Sequence, residues 1–87
     1  MKIKKGFILR KVSSEYMVVA MGEAGEKFNG MIRMNDTGAF IWNIIKEGAS
    51  QEEIITKMCE NYEDLNRETA ENDLNEFLKS IEVALEK

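Results

Sequence analysis

The chain has 87 residues, 44% of them apolar, with no histidine, no proline and a single cysteine, Cys59. That length admits one domain with a modest core. The missing histidine removes the commonest general base and metal ligand, and one cysteine excludes an internal disulfide. The net charge of −4 conceals an asymmetry: the first twelve residues carry Lys2, Lys4, Lys5, Arg10 and Lys11 and no acid, whereas acids outnumber bases in the rest. An acidic body disfavours nucleic acid, whose phosphates attract positive charge.

Along the chain, Phe7–Val12 reads as a first strand and Ser13-Ser14-Glu15 as turn chemistry, followed by a second strand over Tyr16–Met21 with its Val18-Val19 pair. Gly22-Glu23-Ala24-Gly25-Glu26 reads as a turn or short loop; it lacks the lysine and hydroxyl of a phosphate-binding loop, and Glu23 and Glu26 repel phosphate. Residues 27–34 read as a third strand. Asn29-Gly30 is itself a hairpin-turn pair, and if it turns, the strand shortens to about 31–34.

After Met34 the apolar period changes from two to 3.6. Asn35 or Asp36 can cap a first helix whose broad apolar face, including Phe40, Ile41, Trp42 and Ile45, must be largely buried; Gly48 ends it. Ser50-Gln51-Glu52-Glu53 is a capping box opening a second helix, with Ile54, Ile55, Met58, Cys59 and Tyr62 on one face. There Cys59 reads as a buried structural thiol. Asn66 can cap a third helix running to about residue 85, with the stripe Ala70, Leu74, Phe77, Leu78, Ile81, Ala84 and Leu85.

The expected architecture is therefore α+β: a three-stranded antiparallel sheet followed by three helices, winged-helix-like, in one domain over residues 1–87. No apolar run is long enough to span a bilayer, and the basic N-terminus lacks the apolar stretch of a secretory signal; a cytoplasmic location is expected, with no membrane partner. No catalytic residue, metal site or cofactor is expected. Without histidine a nucleophile has no ordinary base, and the carboxylates lie along solvated helix faces.

The third strand is an edge of the meander. Lys27 and Arg33 are its only charges, proline is absent, and Gly30 lets another backbone come close. Such an edge beside an apolar helix makes a groove for an added strand. The residues leave an alternative open, in which Gly30 marks a bulge and the edge is merely tolerated.

The string Phe28-Asn29-Gly30-Met31-Ile32-Arg33-Met34-Asn35-Asp36-Thr37-Gly38-Ala39-Phe40-Ile41-Trp42 resembles the third-strand and first-helix signature of the PqqD-like family of precursor-peptide recognition elements. Gly6–Arg10, Glu15–Val19, Glu60-Asn61-Tyr62, Asp73-Leu74 and Phe77-Leu78 extend the resemblance over nearly the whole chain. It is closer to the broad PqqD-like group than to the members that make pyrroloquinoline quinone. The resemblance implies a non-catalytic chaperone that holds the leader of a ribosomally made precursor as an extra strand. The chaperone presents that leader to a modifying enzyme, often a radical S-adenosylmethionine enzyme. Strand contacts would come from Phe28, Asn29, Met31, Ile32 and Arg33, and a helical wall from Ala70, Asp73, Leu74, Phe77 and Ile81, with Arg33 and Asp73 as polar selectors. The basic N-terminal arm has no role in the signature. Two other classes compete: a docking or regulatory subunit of an enzyme, and a winged-helix DNA reader. The six acids of the third helix disfavour the DNA reader. The open edge also leaves room for a homodimer through strand pairing.

Overall fold

The computed structural model describes residues 1–28 and 30–86. In chain order the elements are β1 (Lys2–Ile3), β2 (Phe7–Val12), β3 (Glu15–Ala20), α1 (Glu23–Lys27), β4 (Met31–Met34), α2 (Asp36–Lys46), α3 (Gln51–Asn61) and α4 (Arg67–Ser80). A 3-10 turn (Glu82–Ala84) and β5 (Leu85–Glu86) complete the chain.

The meander is antiparallel in the order β2-β3-β4, and successive residues of each strand point to opposite faces. Its register places Leu9 beside Val18 and Val18 beside Ile32. This row faces the helices: Val18 is fully buried, and Leu9 and Ile32 pack against the same core. The opposite face bears the rows Ile8–Val19–Met31 and Arg10–Met17–Arg33, none of which belongs to the core cluster. Ile8 and Met31 are accordingly 40% and 54% exposed there.

The core joins sheet and helices through Val18, Ile41, Trp42, Ile45, Ile54, Met58, Leu74 and Ile81, each at most 1% exposed. Burial of such side chains contributes about 1.5–3 kcal/mol each. Trp42 is in the core as its apolar neighbours predict, whereas Cys59 is only half-buried, against the core rather than within it. Asn35, not Asp36, caps α2, its side chain accepting from the Gly38 N–H at 2.9 Å. The reciprocal Ser50–Glu53 box opens α3, and Asn66 caps α4 through the Thr69 N–H at 2.8 Å. Across their exposed sides, Arg67 pairs with Glu52 and Gln51 donates to Asn75, tying α4 to α3.

Besides Cys59, two expectations need correction and one open alternative is decided. The glycine-rich segment after β3 is not a loop but the short helix α1, closed by the Phe28 N–H donating to the Ala24 carbonyl. A Cβ at Gly25 would lie 3.1 Å from the Ala20 carbonyl oxygen, so glycine there lets α1 settle on the end of β3. The third strand is the shorter of its two readings, Met31–Met34, and Asn29 lies outside the described residues. The last helix stops at Ser80 rather than near residue 85. The Ser80 hydroxyl donates to the Phe77 carbonyl, and the chain bends at Ile81 into the 3-10 turn. β5 then pairs with β1, while the Lys4 N–H donates to the Ala84 carbonyl. The Met1 ammonium and carbonyl both bond to the Ala49 backbone, so the basic arm is part of the fold.

Candidate functional site

Among the described residues β4 pairs with β3 only, and its other edge has no strand partner. Alternation turns Ile32 and Met34 toward the helices and Met31 and Arg33 toward the uncovered face. Unpaired N–H and C=O groups on such an edge are a ready template for another strand.

The helix flanking this edge is α4, and Gly38 sets how close it comes. A Cβ at Gly38 would lie 2.9 Å from the Met34 Cβ and 3.0 Å from the Phe77 Cε1. Strand end, first turn of α2 and α4 thus converge on a point where no side chain fits. Asn35 holds the turn in place through its cap to the same glycine.

Beyond that junction opens a cleft of about 400 Å³ lined by Asn35, Thr37, Gly38, Ile41, Asp73, Glu76 and Phe77. Thr37 and Asp73 also border a second cleft, of about 520 Å³, which adds Glu63, Asp64, Tyr62 and Leu65. At the other end of β4 lies a cavity of about 280 Å³ lined by Lys4, Lys5, Phe7, Glu23, Ala24, Lys27, Phe28 and Val83. Its floor is the Phe7–Phe28 pair, with ring centroids 5.9 Å apart. Concave, partly apolar surfaces with a few polar groups are what a peptide side chain needs.

Residues 12–83 match the family described as Coenzyme PQQ synthesis protein D (PqqD). The chain belongs to the PqqD family. Among solved structures, one similar to this PqqD-family chain is TbiB1 in complex with the TbiA(beta) leader peptide, at 27% identity and a TM-score of 0.74. The likeness covers 94% of this chain and 88% of that one. A lasso peptide synthetase B1 complexed with the leader peptide has the same fold, at 20% identity and a TM-score of 0.72, with 93% and 88% covered. No curated protein matches the chain.

The ten residues singled out from the sequence fall into distinct groups on this PqqD-family fold. Met31, Ile32 and Arg33 form the open edge, and Phe28 lies half-buried just before it; Asn29 is outside the described residues. Asp73 is exposed and Phe77 half-exposed, both lining the cleft beside Gly38. Ala70, Leu74 and Ile81 are 0% exposed. All three belong to the buried core cluster, Ala70 and Leu74 on α4 and Ile81 at its C-cap. Sequence reasoning missed Glu76, Thr37 and the basic cavity. The cavity depends on α1 and on the β1–β5 pairing, and no local pattern announces either. Among the described residues no helix is long and apolar enough to cross a membrane, and no cluster of His, Cys, Asp or Glu could hold a metal ion.

Proposed function

We propose that this chain binds the leader of a ribosomally made precursor peptide as an added strand along β4, against α4, and presents it to the enzyme that modifies the precursor. The observation that carries this reading is a β4 edge with no strand partner among the described residues, beside the Gly38 junction where Met34 of β4 and Phe77 of α4 converge, in a PqqD-family chain 27% identical to a protein solved with a leader peptide. Backbone bonds along the edge supply affinity, and pockets for alternate side chains supply choice. The role needs no catalytic group, and the chain acts as a carrier for a partner enzyme, of the radical S-adenosylmethionine class in the reading drawn from the sequence. The same edge would pair two copies of the chain, so leader and dimer compete for it.

The test is an amide NMR titration of labelled protein with synthetic leaders from small precursor genes neighbouring its own. Saturable shifts confined to residues 28–38 and 73–83 support the role. If no leader perturbs these segments while a purified neighbouring enzyme does, the chain is a docking subunit instead. That second reading has its own support in the sheet face turned away from the core, where exposed Ile8 and Met31 flank the half-buried Val19 beside Arg10 and Arg33.

A further inference from the structure

The residues on either side of β4 border cavities of opposite charge. At the Asn35 end the adjoining clefts are lined by Asp73, Glu76, Glu63 and Asp64, with no lysine or arginine among their lining residues. At the Phe28 end, Lys4, Lys5 and Lys27 surround the Phe7–Phe28 pair, and Glu23 is the only carboxylate lining that cavity. Phe28 precedes β4 and Asn35 follows it; Phe77 lies on α4 and Val83 beyond its C-terminus. The acidic cleft therefore adjoins the residue that follows β4, and the basic cavity a residue shortly before it.

From this arrangement, and resting on the leader-binding reading above, we propose that the groove selects leaders by charge order. A basic residue settles over Asp73 and Glu76, and an acidic residue flanked by apolar ones enters the cavity of Lys4, Lys5 and Lys27. The direction follows from the sheet. Both existing pairings are antiparallel, and a strand that continues the meander runs antiparallel to β4, with its N-terminal end opposite Asn35. The basic residue is then N-terminal to the acidic one. Seven steps separate Phe28 from Asn35, at most about 23 Å at roughly 3.3 Å per residue, so the two charges stand about five to seven positions apart. The arm that holds Lys4 and Lys5 is pinned by the β1–β5 pairing and by the Lys4 N–H bond to Ala84, which fixes the basic cavity before any ligand arrives.

The experiment is a selection of displayed random 14-residue peptides on the full chain. Parallel selections use K4E/K5E/K27E and D73K/E76K variants whose far-UV circular dichroism matches the wild type. Wild-type selection is expected to enrich Lys or Arg five to seven positions before Asp or Glu. The lysine variant should lose only the acidic preference, and the D73K/E76K variant only the basic one. In fluorescence anisotropy, reversing either peptide charge should weaken binding about two- to five-fold, as partly solvated pairs do, with the difference fading in high salt. Enriched peptides that lose binding in Phe77→Ala yet show no charge order would overturn the selection rule while leaving the groove intact. If no peptide is enriched at all, the groove fails and the rule fails with it.

Discussion

Replacing Gly38 by alanine tests whether the junction of β4, α2 and α4 is as tight as described. The added Cβ would stand 2.9 Å from the Met34 Cβ and 3.0 Å from the Phe77 Cε1. The Phe77 ring can swing, but the Met34 Cβ is fixed to the strand backbone, so β4 must shift by a few tenths of an ångström. Overfilling a packed site typically costs about 1–3 kcal/mol. Alanine recovers at most about 1 kcal/mol of helix propensity, less in a first turn. The net expectation is a loss of about 1–2 kcal/mol, or a Tm lowered by roughly 5–15 °C for a domain of this size. Gly30→Ala is the control, because there the nearest atom is the Phe28 Cζ at 3.4 Å, an ordinary contact; its effect should stay within about 0.5 kcal/mol. Urea and thermal unfolding followed by circular dichroism compare the two. A Gly38→Ala chain as stable as wild type would refute the close approach and, with it, the shape assigned to the groove.

Leu74→Ala removes a fully buried side chain and should cost about 2–5 kcal/mol, a large share of a small domain's stability, read as a lowered urea midpoint. Ser50→Ala breaks the capping box of α3 and should cost about 1 kcal/mol in the same assay. The bonds from the Ser50 backbone and hydroxyl hold the Glu53 carboxyl below its ordinary value of 4.5. Its contribution is therefore fully present above that value and is lost as pH falls through the lowered one. The Tm advantage of wild type over Glu53→Gln should accordingly be constant near neutrality and vanish in acid. Deleting residues 1–4 removes the β1–β5 pairing and the bonds to Ala49 and Ala84, and should cost about 2–4 kcal/mol at roughly 1 kcal/mol per bond, seen as faster amide exchange over residues 81–86.

Local chemistry made much of this fold legible. The caps at Asn35, Ser50 and Asn66 and the spacing Ala70–Leu74–Phe77 are each decided within one or two turns of chain. The end of α4 was not legible, because Ala84 and Leu85 keep the helical spacing while Leu85 and Glu86 pair with Ile3 and Lys2 and the Ala84 carbonyl accepts from the Lys4 N–H. Gly22 and Gly25 signal a turn, and no local pattern announces the short helix or the close seat of Gly25 on the Ala20 carbonyl. At the site, periodicity identified the stripe of α4 but could not divide it between core and surface. Ala70, Leu74 and Ile81 went inward, leaving Asp73 and Phe77 beside the edge.

The shortness of β4 bears on timing. Only alternate residues of a strand turn their polar backbone toward a given neighbour, so its four residues offer about four bonds to an incoming strand. At a net of about 0.5–1.5 kcal/mol each, these are comparable to or smaller than the roughly 4–15 kcal/mol lost on association. Backbone pairing therefore sets register and leaves dwell time to the side-chain pockets. On the proposed reading, a leader on this edge would be retained by its side-chain contacts more than by its backbone.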